Sequence, residues 1–442
     1  MKRKILKVCK NVFWKLPMPS KTKENLRKKY ATRKDQNETD SLDFTLASPE
    51  LYEAYIRQVL SLPSTGQESL PFEEHTPGGQ KTDIIAYYLT QYHPNPQNDA
   101  WWGKGTTEWT NVSKAVPQFG GHYQPRLPGE LGYYDLRLRE NMQRQIELAK
   151  NYGVNVFCFY YYDFDGERLL ERPLDMFFED KSLDMRYCLC WANENWTKRF
   201  SGTDTDVLMA ISDTPESNTR FIQSLLKHFG DPRYYQIDNK PVLVIYRPSN
   251  IGSTAEVLRS WREIAKRETG KDLYIIAVQE KGDNHDWCKE GYDAETEFQP
   301  KRIINGSKDI TESVKPLRRD FRGTVYDYRD IVENRRYLIK ENTRKKVYPA
   351  VMPMWDNTAR RNHNAQVFHG ATPDLYKTWL KDSIGVTDGN TKTEANAVFI
   401  NAWNEWGEGA YLEPDRRWGY AYLQATYEAL RETGMIESGG KE

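Results

Sequence analysis

Between Asp83 and Trp403 the chain repeats one texture eight times: a short apolar run, then a longer amphipathic one. The apolar runs are DIIAYYL (83–89), VNVFCFYYY (154–162), RYCLCWA (186–192), PVLVIYR (241–247), LYIIAVQ (273–279), DAETEF (293–298), VYPAVMPMW (347–355) and AVFINAW (397–403). They are strand-length, and most are apolar at consecutive positions, as expected where both faces of a sheet are covered. Between them lie helical patterns such as LRLRENMQRQIELAKNYG and TAEVLRSWREIAKRETG, whose closing glycines are good helix stops. Eight strands alternating with helices predict a (β/α)8 TIM barrel. A long insertion, Asn95 to Tyr134, separates the first strand from its helix. A doubly wound open sheet is the competing arrangement. It usually carries a glycine-rich turn after its first strand, and here that place reads TQYHPNPQNDAWWGKG.

Residues 1–80 read differently, as a basic and then polar arm with one short helical pattern at Leu51 to Leu62, ahead of a barrel spanning 81–435. In the first 19 residues, lysines interrupt every apolar run, so no signal-peptide core forms. Two readings of residues 1–40 stand side by side. One is docking to an anionic membrane face or to polysaccharide-synthesis machinery, and the other is a solvated arm. No apolar run approaches the roughly 20 residues of a membrane-crossing helix, so a cytoplasmic protein, peripheral at most on the inner membrane face, is expected. Its 63 basic and 63 acidic residues balance, giving no field that favours nucleic acid. The five cysteines are odd in number, and Cys158, Cys188 and Cys190 lie in strand-like runs, which suggests buried free thiols. No second Cys/His pair stands at metal spacing, and no metal or cofactor is expected.

In a barrel the reactive groups lie where strands end. After the first strand come Tyr88, His93, Trp102 and Glu108; after the second, Tyr162 and Asp163; after the third, Trp191, Asn193 and Glu194. Trp355 follows the seventh, and Trp403, Asn404, Glu405 and Glu408 follow the eighth. Carboxylates, amides and indoles in one cleft suit a carbohydrate, which offers C–H faces to rings and hydroxyls to polar groups. Glycosidic chemistry needs one carboxyl to protonate the leaving oxygen and a second one opposite. Glu405 and Glu408 are three apart, between Trp403 and Gly409, directly after a buried strand.

The motifs AYYLTQYHP, WWGKGTTEWTNV, HYQPRLP, YYYDF, CWANENWTKRF and AWNEWGEGAYLEPD together resemble the WbsX-type polysaccharide-biosynthesis proteins. These are similar to glycoside hydrolase family 99, the retaining endo-α-mannosidases and endo-mannanases. The resemblance implies a barrel enzyme of surface-polysaccharide (O-antigen or capsule) biosynthesis that cuts or transfers a glycosidic bond in an oligo- or polysaccharide. It implies that Glu405 is the base on the sugar's own 2-hydroxyl, closing a 1,2-anhydro intermediate. Glu408 is then the acid on the leaving oxygen. Tyr88, His93, Trp102, Glu108, Tyr162, Asp163, Trp191, Asn193, Glu194, Trp355, Trp403 and Asn404 are the expected substrate-binding residues. Gly407 departs from the histidine that the hydrolases carry between the two glutamates. Two alternatives stay open: a nucleotide-sugar glycosyltransferase, using Asp-x-Asp triplets at 163–165 or 204–206, and a non-catalytic glycan-binding barrel.

Overall fold

The computed structural model describes residues 69–197, 207–282, 285–339, 345–388 and 393–437, with a few positions between 49 and 57. The chain divides between Thr45 and Leu46. The first unit, with the basic arm, lies outside the described residues, as does most of the Leu51 to Leu62 pattern.

The second unit is the (β/α)8 barrel. Its strands are β1 (Asp83–Tyr88), β2 (Val156–Phe164), β3 (Arg186–Trp191), β4 (Lys240–Ile245), β5 (Tyr274–Val278), β6 (Ala294–Thr296), β7 (Val347–Tyr348 and Ala350–Val351, parted by Pro349) and β8 (Ala397–Ile400). All pair in parallel, each with its chain neighbour. The seventh strand closes the ring. Its first half pairs with β6 and its second half with β8, which pairs with β1. Closure removes the free edges that an open sheet would leave. Proline has no N–H to give a ladder, so β7 breaks where Pro349 stands.

Aromatic rings fill the barrel. Tyr87 packs on Tyr160, Phe298 and Phe399 at ring separations of 5.6, 5.2 and 5.7 Å. Removing one such buried ring costs about 3–5 kcal/mol. Outside the ring lie, in chain order, α1 (Pro96–Trp102) and α2 (Glu108–Ser113) of the insertion, α3 (Arg139–Asn151), α4 (Arg172–Glu179), α5 (Pro215–Phe229), α6 (Thr254–Thr269), α7 (Tyr328–Glu333), α8 (Thr358–Arg361), α9 (Pro373–Asp388) and α10 (Ala421–Glu432). In α3, Met142, Ile146 and Ala149 form the stripe facing the strands. The chain then turns at Gly153, at φ +85°, where a Cβ would press to 2.5 Å from Leu430.

Two connections depart from the regular unit. Among the described residues between β5 and β6, only a 3-10 turn forms, Trp287–Glu290. The run DYRDIVENRRYLIKEN has a helical pattern, but α7 stops at Glu333. Arg336 reaches back to the Asp330 carboxylate, its amide donates to the Ile331 carbonyl, and Arg335 takes a positive φ of 47°. The chain there folds into a turn rather than continuing a helix. Residues Ser69–Gln80, grouped with the arm on their texture, are bonded to the barrel. Leu70 exchanges backbone bonds with Trp418 and Tyr420, and His75 stacks on Tyr427 at 3.8 Å.

A small side sheet of Thr324–Asp327, Gln366–His369 and Trp355–Asp356 packs beside the barrel on its own core of Phe119, Phe321, Val325, Ala365 and Val367. It carries the segment that leads into α8. Cys158, Cys188 and Cys190 are buried free thiols. Among the described residues, no helix is long and apolar enough to cross a membrane.

Candidate active site

A cleft of about 280 Å³ opens at the strand ends. One wall carries Trp102, Tyr162 and Trp196, another Tyr246 and Phe298, and Glu108, Glu405, Glu408 and Arg360 meet within it. A recess of about 430 Å³ lies at the opposite, N-terminal end of β2 and β3, lined by His75, Lys150 and Asp184 among others. Size does not make it the better site, because it lacks converging carboxylates beside aromatic rings.

The glutamates stand on a hairpin directly after β8. Asn404–Glu405 pairs with Ala410–Tyr411, and a 3-10 turn, Trp406–Glu408, joins them. Gly409 closes it at φ +57°, where a Cβ would also press to 2.9 Å from the Asp356 carbonyl. Asn404 locks the hairpin to β1, since its amide accepts from Leu89 N at 2.7 Å and donates to Leu89 O at 3.0 Å. Trp406 is buried, stacks on Tyr411 at 3.8 Å and donates to Glu413 at 2.6 Å. Glu413 also accepts from Gln145 and Tyr134, so it braces the back of the hairpin. Its burial pushes its carboxyl up to about 7.

Arg360 joins three carboxylates. Its Nε donates to Glu108 at 2.8 Å, its Nη2 to Glu405 at 2.9 Å, and its Nη1 stands 2.9 Å from Glu408. Glu108 is fully buried, the Glu405 side chain is 7% exposed, and the Glu408 side chain is 25% exposed. One guanidinium cannot neutralise three acids. Burial raises the Glu405 carboxyl well above its ordinary range, and Glu408 and Glu108 add to the rise while Arg360 opposes it. Burial works against the charge of Arg360 itself, but the three carboxylates outweigh it. The cluster therefore raises the proton affinity of Glu405.

Arg360 is aimed from below. Asp356, fully buried, accepts from His122 at 2.8 Å, from Gln124 at 2.7 Å and from Thr358, which fixes the start of α8. Burial opposes the Asp356 charge, yet these partners hold it far below the usual carboxylate range.

The model of the family described as glycosyltransferase WbsX matches residues 84–426. The chain belongs to the WbsX glycosyltransferase family. An uncharacterized protein WxcX of Xanthomonas campestris pv. campestris (strain B100) is 40% identical over 350 residues, 78% of this chain and 49% of that protein. The chain thus spans about half the length of the curated relatives it matches. A solved glycoside hydrolase-like protein shares the fold at 16% identity and a TM-score of 0.52, covering 83% of this chain and 97% of that one. A GH99 endo-alpha-mannosidase from Bacteroides thetaiotaomicron is 16% identical with a TM-score of 0.49, covering 79% and 97%.

In this WbsX-family barrel, Trp102, Glu108, Tyr162 and Glu194 line the cleft with Glu405 and Glu408. The other expected residues stand behind it. Tyr88 points outward to α3 and donates to Gln145 at 2.6 Å. Trp191 stacks on Phe221 of α5 at 3.9 Å. Trp403 is buried 5.2 Å from Phe157, and Trp355 is buried in the side sheet. His93 is buried, its Nδ1 3.0 Å from the Thr90 carbonyl. Asn193 bonds both backbone polar groups of Arg247, and Asn404 those of Leu89. Asp163 accepts from Gly166 N in a turn, and its neighbour Asp165 pairs with Arg220. The triplet at 204–206 lies outside the described residues.

Arg360, Tyr160 and Phe298 line the cleft and were not anticipated, nor was Lys301, which rests on its Tyr246 and Phe298 rings. A sequence signal existed only for the need: carboxylates gathered at the strand ends require a cation. Which of 63 basic residues supplies it depends on the side sheet.

Proposed function

We propose that this chain cleaves or transfers a glycosidic bond in an oligo- or polysaccharide, with Glu405 and Glu408 as the working carboxylates. The observation that carries this reading is the convergence of Arg360 on Glu405 and Glu408 inside an aromatic-walled cleft. Two carboxyls held by one guanidinium, one more buried than the other, differ in proton affinity, which separates an acid from a base. Glu405 takes the proton of the sugar 2-hydroxyl, and the 1,2-anhydro ring closes as the leaving oxygen departs. Glu408, the more exposed, protonates that oxygen and then takes the proton of the acceptor, water or a growing glycan. The acceptor bonds to C1 as the C1–O2 bond of the anhydro ring breaks and Glu405 returns its proton to the 2-oxygen. Because burial raises the proton affinity of Glu405, this cycle requires Glu405 to be ionised and Glu408 protonated once the sugar is bound. Arg360, bonded to both, is the group that can follow the negative charge.

Trp102 and Tyr162 supply ring faces for the sugar. Glu108 has one oxygen, Oε2, that is buried and without a hydrogen-bond partner, which suits an incoming sugar hydroxyl. The setting we infer is surface-polysaccharide biosynthesis on the cytoplasmic side, with residues 1–40 contacting the membrane or its machinery. Deleting that arm and measuring membrane-fraction recovery tests the last point.

The deciding experiment is product analysis on the producing cell's own surface polysaccharide with wild type, Glu405→Gln and Glu408→Gln. Both variants are expected to lose product formation. Product levels matching wild type would overturn the assignment, and a transferred rather than a hydrolysed end group would select transfer.

A further inference from the structure

Lys301 follows Phe298 at the end of β6, and its ammonium nitrogen is shielded from solvent. That nitrogen lies 3.7 Å from the Tyr246 ring centroid and 4.8 Å from that of Phe298, and both rings wall the cleft. No hydrogen-bond acceptor meets it. The charged groups around it are Arg247, Glu194, Glu280 and Glu408. Each of these acids has a guanidinium. Arg247 Nη2 stands 2.6 Å from Glu194 and Nη1 stands 3.2 Å from Glu280, while Arg360 holds Glu408. Arg247 also stands over the Tyr246 ring, at 5.2 Å, but spends its donors on Glu194 and Glu280, whereas Lys301 rests on rings with its three donors unused.

A desolvated ammonium without an acceptor is expensive to keep. Cation–π contact returns only about 0.5–2 kcal/mol. Burial, and the charge of Arg247 after it, push Lys301 down to about 7 despite the nearby acids. A group so placed gains most from an arriving negative charge, which supplies both the missing acceptor and the missing counter-charge.

We propose that Lys301 is the recognition point for an anionic group of the substrate, a sugar carboxylate or a phosphate, at the end of the cleft walled by Tyr246 and Phe298. This rests on the reading of the cleft as the substrate site. The neutral part of the substrate then lies against Trp102, Tyr162 and Trp196, and the anion sits across the carboxylate cluster from it. A phosphate at this point belongs to an activated sugar, and a carboxylate to an acidic residue of the glycan.

The test is calorimetric titration of the full chain with three probes: a hexuronate disaccharide, its carboxyl-reduced neutral form, and inorganic pyrophosphate. One of the two anions is expected to bind to wild type and at least tenfold more weakly to Lys301→Met. The neutral sugar should bind both proteins alike. Binding to wild type should weaken about tenfold per pH unit above pH 8, because one proton is lost from the site. Lys301→Arg, which cannot lose its charge, should bind the same anion with a flat profile to pH 9. Hexuronate binding assigns the carboxylate, and pyrophosphate binding assigns the phosphate. If neither anion binds, or if wild-type affinity is flat from pH 6 to 9, the proposal is wrong, whatever the fate of the methionine variant. Glu408→Gln separates the two readings: anion binding that survives there supports Lys301 whether or not turnover does.

Discussion

Gly407 leaves the volume that Glu108 fills. A Cβ on Gly407 would stand 1.6 Å from Glu108 Oε1 and 2.9 Å from Arg360 Nε. The glycine between the two glutamates is thus required for space, whereas Gly409 is required for its backbone conformation as well. The space beside Gly407 is taken by the Glu108–Arg360 ion pair.

Gly407→Ala should therefore evict Glu108 from Arg360. Overpacking of this kind costs about 1–3 kcal/mol, and the loss should appear in denaturant unfolding alongside a large fall in turnover. A variant within 0.5 kcal/mol of wild type would show that the hairpin shifts freely, contrary to the closeness seen here.

Arg360→Met leaves three carboxylates with no counter-ion. Breaking a buried pair costs about 3–5 kcal/mol. Arg360 opposes the rise at Glu405, so without it the folded Glu405 carboxyl stands further above its unfolded range. Stability is then greatest when Glu405 is neutral and falls as pH rises. The deficit against wild type should grow from pH 5 to pH 8 in thermal melts. A deficit that shrinks over that range would mean the acids find another partner.

Glu413 makes a separate pH prediction. Its folded carboxyl is pushed up to about 7, against about 4.3 unfolded. Stability from this group is full below the unfolded value and declines as pH climbs toward 7. Glu413→Gln cannot ionise. Losing good hydrogen-bond geometry to Trp406, Gln145 and Tyr134, it should be less stable than wild type at pH 5. That deficit should narrow by about 2–3 kcal/mol by pH 8. Equal deficits at both values would show that Glu413 is already ionised at pH 5.

Trp102→Ala removes a ring from the cleft wall without touching the carboxylates. A lost stacking face is worth about 1 kcal/mol, so substrate affinity should fall several-fold with kcat little changed. A fall confined to kcat would place the ring in the chemistry instead.

The periodic texture from Asp83 onward was sufficient for the barrel, because eight apolar runs of strand length leave few closed arrangements. The glutamates were legible because carboxylates directly after a buried strand have no packing reason to be there. Tyr88 and Trp191 missed the cleft for one reason. Along a strand successive side chains point to opposite faces. In a barrel covered by helices both faces are apolar, so the sequence does not reveal which parity points inward. Tyr87 packs in the barrel and Tyr88 against α3; Tyr162 reaches the cleft and Trp191 lies under α5. Nor can local pattern name Arg360 or Lys301. One is aimed by Asp356 and the side sheet, the other rests on rings just after β4 and β6. The amino-acid order by itself determined the barrel and the end of it where carboxylates and rings gather. Only the tertiary structure decided which cation meets the glutamates, because that choice depends on contacts between segments more than 200 residues apart in sequence, such as Arg360 and Glu108.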